Sequence, residues 1–306
     1  MRPAAALAAV SCLLLAACGG EEKSSTTAGV PGGGETLQEL WRAPGDDVAV
    51  IAGTQNHEPG EVRVSFLVAD GEGRVVTTPT ARVWVATGLE VAPFLETTAK
   101  LERIGVPGGA EADASHIYVA RFRVPDAGKY WLLAEPEGAG KKVQALGNVV
   151  VQKEDPEPDV GDLAPPSETP TIQSTGGDFA ELTTRTPPDK TLLEHSVADS
   201  LEAKAPFVVT FATPKFCASR TCGPTVDVVE EVQRRVEGSG VRFIHVEVYE
   251  GNDPTKGFNR WLGEWKLDTE PWTFLVDRRG RIVERFEGVV SVRELEEAVR
   301  EKLTSD

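Results

Sequence analysis

The sequence has few basic residues relative to acidic ones, few histidines and cysteines, and no long uninterrupted apolar segment. Its 32 Lys and Arg residues stand against 48 Asp and Glu residues, which gives a formal net charge of −16. A surface this acidic repels phosphate, so nucleic acid is excluded as the expected partner. The four histidines are scattered and form no cluster with metal-ligand spacing. No stretch reaches the roughly 20 apolar residues of a membrane-spanning helix.

The first residues have the arrangement of a secretory signal. Arg2 opens a short basic region, and the mainly apolar run over 4–17 is too short to span a membrane as a helix. This run ends in the letters LAAC, which resemble the lipobox of bacterial lipoproteins. The resemblance implies that a signal peptide, 1–17, is removed and that Cys18 is acylated, which tethers the mature chain to a membrane outside the cytoplasm. The alternative is an ordinary signal peptide with a chance cysteine.

Cysteine usage then becomes informative. Of the four cysteines, Cys12 lies in the signal and Cys18 carries the expected lipid, which leaves Cys217 and Cys222. Disulfides persist in exported proteins. Two cysteines this close would close only a small loop, which gives less entropic stabilisation than a long-range bridge. The pair is therefore predicted either to take part in a reaction or to form a small structural disulfide.

Composition divides the mature chain into four parts, and 306 residues are enough for two domains. Residues 18–45, rich in Gly, Ser and Thr, are expected to form a flexible tether. Residues 46–152 contain short strand-like runs separated by Gly, Pro and Asp. Residues 153–190 are rich in Pro and carboxylates and are predicted to be a mostly extended linker. A second domain follows over 191–306.

The first domain is predicted to be an all-β immunoglobulin-like sandwich. Its strand-like runs are 48–52, 62–69, 81–86, 116–124, 129–134 and 148–151. The letters DAGKY, ending at Tyr130, resemble the tyrosine corner of immunoglobulin-like sandwiches, in which the Tyr hydroxyl fastens a loop between strands. The alternative is any turn that carries Asp and Gly. Nothing in this domain resembles a catalytic constellation.

The second domain reads as helix, strand, cysteine loop, helix, strand, helix, strand, strand and helix, which predicts a mixed α/β sheet between helices. The continuous apolar run 207–211 is typical of a strand covered on both faces. Ser291 and Glu294 form a capping box that opens the last helix. On that helix Glu294, Glu296 and Glu297 are expected to face water.

This order and its motifs resemble the thioredoxin superfamily over about 190–306. The letters CGP from Cys222 match the start of the family's C-G-P-C active site, and Glu270 with Pro271 matches the cis-proline position that faces the active cysteines. The letters PWTFLVDRRGRI are especially similar to the exported TlpA/ResA branch. The resemblance implies a thioredoxin-like fold and thiol–disulfide exchange with protein substrates.

Thiol–disulfide exchange requires an exposed thiolate with a depressed pKa. A cysteine at a helix start has unpaired amides and the positive end of the helix dipole beside it, which makes Cys222 the predicted nucleophile. Gly223 and Pro224 support this loop, since the missing N–H of a proline has no partner to lose in the first turn. Arg220 and Lys215 add positive charge nearby.

The sequence departs from the family pattern at several positions. Thr225 stands at the second cysteine of C-G-P-C, and Thr210 stands where many thioredoxins carry a buried proton-accepting carboxylate. A new cysteine, Cys217, lies upstream instead. The preferred interpretation is that Cys217 pairs with Cys222 and resolves the mixed disulfide, although the direction of electron flow cannot be read from the residues.

Three alternatives remain open. Cys217 and Cys222 could be a static staple in a redox-inactive binding module on a lipid tether. A thiolate pair could hold Cu(I), as in Sco-like relatives, but those also use a histidine opposite the cysteines, and His245 is predicted to be a core residue. Peroxidase chemistry fits least, since Lys215 and Ser219 replace the Pro and Thr expected before a peroxidatic cysteine.

The resemblance also implies a substrate groove. Pro271 and Glu270 would border it, and Trp272 would either line it or pack in the core. No dissociable cofactor is implied, because electrons travel through the cysteine pair. The expected partners are protein thiols or disulfides and a membrane redox partner that recycles the pair.

Overall fold

The computed structural model describes residues 34–107, 115–138, 143–154, 156–216 and 222–304. Cys222 is described through its backbone only. The predicted signal peptide, Cys18, Cys217 and Arg220 lie outside the described residues. Within these ranges, no helix combines the length and apolar character needed to cross a bilayer.

The chain enters the first domain through a short helix, α1 (Leu37–Trp41). Thr36 caps it in a capping box with Glu39, and Leu37 is fully buried. The expectation of a flexible tether over 18–45 is therefore wrong from Thr36 onward. The T-x-x-E signature and one anchoring leucine outweigh the polar composition of the segment.

Seven strands follow within the described residues. They are β1 (Asp46–Ala52), β2 (Gly60–Val68), β3 (Thr80–Ala86), β4 (Leu95–Arg103), β5 (His116–Val124), β6 (Gly128–Pro136) and β7 (Val143–Val151). They pair in the order β1-β2-β5-β4-β3-β6-β7, and β1 also pairs in parallel with β7, so the sheet closes into a barrel. Phe66, Tyr118 and Leu132 are among the side chains that fill it.

Each predicted run of the first domain overlaps an observed strand. The sequence analysis missed β4, which alternates polar residues outward and buries Ala99 fully. The tyrosine corner is confirmed as a local contact, since the hydroxyl of Tyr130 donates to the carbonyl of Asp126 at 2.7 Å. The immunoglobulin-like sandwich is not confirmed, because the described strands form one continuous closed sheet.

The segment between the domains packs against the second domain. It contains the short helix α2 (Phe179–Leu182), whose Leu182 is 1% exposed. The amide of Gly161 donates to the carbonyl of Ile282 at 2.8 Å, and that of Ala164 donates to Gly280 at 2.9 Å. The segment expected to be a linker over 153–190 is therefore mainly irregular backbone that packs on the second domain in its described part. Apolar residues and hydroxyl groups of this segment contact the second domain, and composition alone does not predict these contacts.

The second domain has the predicted order of elements. These are α3 (Val197–Glu202), β8 (Phe207–Phe211), α4 (Cys222–Arg235), β9 (Arg242–Val246), α5 (Arg260–Glu264), β10 (Trp272–Val276), β11 (Ile282–Glu287) and α6 (Val292–Leu303). In the described chain this sheet runs β11-β10-β8-β9. Strands β8 and β9 are parallel, whereas β10 is antiparallel to both β8 and β11. Separate cores cover the two faces, as the apolar run of β8 predicts.

The two domains meet at the start of α6. The predicted capping box between Ser291 and Glu294 is present. Glu294 is only 6% exposed and forms ion pairs with Arg63 of β2 at 2.9 Å and Arg121 of β5 at 3.1 Å. The expectation that Glu294 faces water is therefore wrong, because the barrel covers this end of the helix. The side chain of Glu297 is 63% exposed, as expected.

Candidate functional site

The predicted nucleophile occupies the first position of α4. Cys222 begins the helix, and Gly223 and Pro224 lie buried in its first turn. This placement agrees with the sequence prediction, since proline is compatible with the first turn of a helix. Thr225 is also buried, at 0% exposure. The thiol of Cys222 and the loop with Cys217 lie outside the described residues, so their pairing stays a prediction.

The proline predicted to face the cysteines lies at the same end of the sheet. The Glu270–Pro271 peptide bond is cis. Trp272, the next residue, pairs with Phe211 at the end of β8. Because β8 leads into the loop before α4, this pairing brings Pro271 and the start of α4 to one edge of the domain.

Glu270 is a titratable group at this edge. Its carboxylate accepts a hydrogen bond from the amide of Thr213 at 3.2 Å. Burial raises the pKa of Glu270 to about 7, the amide of Thr213 opposes the rise, and the charge of Glu247 adds to it. Glu270 can therefore gain or lose a proton near neutral pH, beside the loop that leads to Cys222.

Further polar groups lie buried behind Glu270. Glu247 is 4% exposed, and its Oε1 accepts from the amide and the hydroxyl of Thr184 at 2.6 and 2.7 Å. Among the residues described, no hydrogen-bond partner reaches Oε2 of Glu247 or the hydroxyl of Thr213. Buried polar atoms without partners are costly, so their presence here points to function rather than to stability.

His245 is a core residue, as predicted. It is 4% exposed, and its Nε2 lies 3.0 Å from the carbonyl oxygen of Ala212. Burial lowers its pKa. Glu247 directly follows β9, and because residues 243–248 are all buried, no alternation in the sequence pattern reveals it. Thr210, at the usual carboxylate position, instead bonds the hydroxyl of Thr273 at 3.1 Å.

The segment before α3 contacts residues on both sides of the cysteine loop. The hydroxyl of Thr184 accepts from the amide of Lys215 at 3.2 Å. Arg185 pairs with Asp227 at 2.8 Å and Glu230 at 2.5 Å, both on α4. The segment expected to be a linker therefore contributes directly to the site.

Trp272 belongs to the core rather than to an accessible groove. It is 2% exposed and stacks on Phe274 with ring centroids 5.5 Å apart. Its indole N–H donates to the hydroxyl of Thr269 at 2.9 Å. The packing alternative for Trp272 is therefore the correct one. Aromatic surface near the cysteine loop comes instead from Phe216 and Tyr249, whose centroids are 6.5 Å apart.

The described residues contain no group of three or more His, Cys, Asp or Glu side chains arranged to hold a metal ion. No protein-family model matches the chain. No curated protein matches it significantly either.

Solved structures match parts of the chain. StoA from Bacillus subtilis is 15% identical, with 31% of this chain and 81% of that chain covered and a TM-score of 0.26. A thiol:disulfide interchange protein of the thioredoxin family from Chlorobium tepidum TLS is 14% identical, with 49% and 98% covered and a TM-score of 0.30. The PKD domain of the human receptor SorCS2 is 18% identical, with 44% and 98% covered and a TM-score of 0.20. Likenesses this weak carry no argument for the function of this chain.

Proposed function

We propose that this chain is a membrane-tethered, extracytoplasmic thiol–disulfide oxidoreductase that acts on protein substrates through Cys217 and Cys222. The observation that carries the proposal is the convergence at one sheet edge. There α4 begins at Cys222, and Glu270, with a pKa of about 7, accepts a hydrogen bond from Thr213 in the loop that leads from β8 to this helix. A helix start stabilises a thiolate, and a carboxyl that titrates near neutrality can carry its proton.

In the reducing direction, the Cys222 thiolate attacks one sulfur of a substrate disulfide. A mixed disulfide forms, and the other substrate sulfur leaves as a thiolate that takes up a proton. Cys217 then gives its proton to Glu270 and attacks the sulfur of Cys222, and the second substrate sulfur leaves as a thiolate that takes up the proton held by Glu270. Two electrons pass to the substrate, and Cys217 and Cys222 end as a disulfide. Oxidation of a substrate dithiol is the same sequence in reverse.

The remaining parts of the proposal come from the sequence. Lipid on Cys18 would keep the protein at the membrane, where a second dithiol or disulfide protein recycles the cysteine pair. Pro271 and Glu270 would border the place where the substrate backbone lies. No dissociable cofactor takes part in these steps.

A trapping experiment tests the cysteine roles. In a Cys217→Ser chain the mixed disulfide on Cys222 has no resolving thiol, so we expect covalent adducts with a purified disulfide-bonded model protein on non-reducing gels. The matched Cys222→Ser chain should form none. Reduced wild-type chain should convert one model disulfide per molecule and become oxidised itself.

A second measurement separates exchange from a static staple. Alkylation of the reduced chain across pH should show a Cys222 pKa below the ordinary value of about 8.5. An unperturbed pKa together with an empty Cys217→Ser trap would mean that the pair is structural and that the domain is a binding module.

A further inference from the structure

A cavity of about 350 Å³ lies between the barrel and the β11 edge of the second domain. The barrel contributes His57, Arg63 and Pro59 to its lining, and the other side contributes Val160 and Arg285. Its volume is within the range of sites for small organic molecules. It is separate from the cysteine loop and is not used by the proposed exchange reaction.

Two residues of this lining, His57 and Arg63, have a buried side-chain nitrogen without a partner among the described residues. His57 is 5% exposed, and the side chain of Arg63 is 8% exposed. Nε and Nη2 of Arg63 bond Glu294 at 2.9 Å, and Nη2 also donates to the carbonyl of Val289 at 3.0 Å. Within the described ranges, Nη1 of Arg63 and Nε2 of His57 have no hydrogen-bond partner. Leaving such donors unsatisfied is costly, so a ligand that accepts from both is favoured.

The charges around His57 favour an anion. Burial, which is the largest cause, and the charges of Arg285 and Arg63 together lower the pKa of His57 to about 4. The imidazole is therefore neutral at pH 7 and lies in a positive local potential. With its proton on Nε2, the neutral imidazole offers one N–H and the guanidinium offers another, and a carboxylate has two oxygens to accept them.

Acidic side chains of the same lining limit the charge of the ligand. They are Glu58, Glu61, Asp159, Glu284 and Glu287. Asp159 pairs with Arg285 at 3.1 Å, and Glu284 pairs with Lys302 at 2.8 Å. Glu287 accepts from backbone amides of the barrel at 2.7 and 2.8 Å. These partners offset much of the negative charge, yet a dianion such as phosphate would still be repelled more than a monoanion.

We propose that this cavity binds a small organic monocarboxylate. Its carboxylate accepts from Nε2–H of His57 and Nη1–H of Arg63, and its apolar part lies against Pro59 and Val160. Val160 is 54% exposed in the structure, which leaves apolar surface for such a contact. Because the ligand would contact both the barrel and the interdomain segment that packs on the second domain, binding also stabilises their docking.

Benzoate is the probe that tests this site, with isothermal titration of the full chain at pH 7. We expect saturable binding of benzoate, weaker binding of the neutral analogue benzamide, and no binding of inorganic phosphate. His57→Phe removes one donor at similar volume and should weaken benzoate roughly tenfold. His195→Phe, in the other domain and away from the cavity lining, should leave the affinity unchanged.

A surface variant keeps the test independent of folding. Val160→Glu adds a carboxylate at an exposed position and should abolish benzoate binding without loss of the folded state. The proposal is overturned if benzoate fails to bind at millimolar concentration, if His57→Phe binds it as tightly as wild type, or if phosphate binds in its place. None of these outcomes depends on thiol–disulfide activity.

Discussion

Glu270, which is partly buried, and Glu247, which is buried, bring carboxylates to the sheet edge where α4 begins. In the thioredoxin-like pattern the carboxylate is expected on β8, but Thr210 occupies that position and bonds Thr273 at 3.1 Å. The structure supplies acids from the end of β9 and from the residue before Pro271. Glu270 was identifiable from the motif, whereas Glu247 was not, because its burial depends on Thr184 in a segment that reads as a linker.

Replacing Glu270 by Gln should change how both the free energy of unfolding and the rate of thiol–disulfide exchange depend on pH. The folded-state pKa of about 7 is above the ordinary 4.5, so the stabilisation tied to the bound proton is complete below pH 4.5 and is lost as pH rises through 7. Glu270→Gln should therefore be more stable than wild type at pH 8, by about 1–2 kcal/mol after solvent screening, and similar at pH 4.5. Urea unfolding at both pH values measures this difference.

The same variant reports on proton transfer. The step near pH 7 in the rate of thiol–disulfide exchange should flatten in Glu270→Gln and persist in Glu250→Gln, an exposed control outside the cluster. An unchanged pH profile in Glu270→Gln would remove Glu270 from the proposed mechanism.

Helix α6 begins with a capping box, and the same residues also bind it to the barrel. The capping box of Ser291 and Glu294 is local and readable from the sequence. The ion pairs of Glu294 with Arg63 and Arg121 join residues 231 and 173 positions apart, which no local pattern reveals. The same limit explains β4, whose polar outward face conceals its role between β3 and β5.

Loss of the Glu294 charge should destabilise the protein. Burial acts to raise the pKa of Glu294, but the charges of Arg63 and Arg121 and the hydrogen bonds from Arg63 and the amide of Ser291 together outweigh burial, and the pKa falls to about 2 from 4.5. The resulting stabilisation of about 3 kcal/mol is present above pH 4.5 and is lost as pH falls towards 2. Glu294→Gln should therefore lose stability at pH 7 by at least this order, measured by urea unfolding.

Glu297→Gln is the matched control on the same helix. Its side chain is 63% exposed and pairs only with Arg293 among the residues described, so the change should cost under about 1 kcal/mol. Equal losses in the two variants would show that the contacts of Glu294 with the barrel add no stability.

The molecule as a whole depends on close contact between the barrel and the second domain. The amides of Gln55 and Asn56 donate to Glu287 at 2.7 and 2.8 Å. Gly288 follows with φ of 71°, and its amide donates to the carbonyl of Pro271 at 2.8 Å. The barrel side therefore contacts Glu287, and the next residue, Gly288, bonds to Pro271 of the proposed site. No catalytic residue is proposed in the barrel itself.

Gly288→Ala should separate the domains. An added Cβ would overlap the carbonyl oxygen of Gly53 in the barrel, and φ is in the left-handed region. Gly73→Ala has a similar φ of 80° with nothing near the added atom, so it carries the backbone cost of about 1 kcal/mol alone. Small-angle scattering should show a larger radius of gyration for Gly288→Ala only, and equal radii for the two variants would contradict tight docking.

The sequence by itself determined the strands of both domains except β4, the helix start at Cys222 and the position of Pro271. The strands follow from periodicity and turn residues that lie within a few positions of one another, whereas Cys222 and Pro271 were assigned from the resemblance of their motifs to the thioredoxin superfamily. Only the tertiary structure decided that the barrel closes, that 156–190 packs, that Glu247 and Glu294 are buried, and that Glu270 is partly buried. The physical reason is that desolvation and ion pairing depend on neighbours from distant parts of the chain, and these set the pKa values on which the proposed chemistry depends.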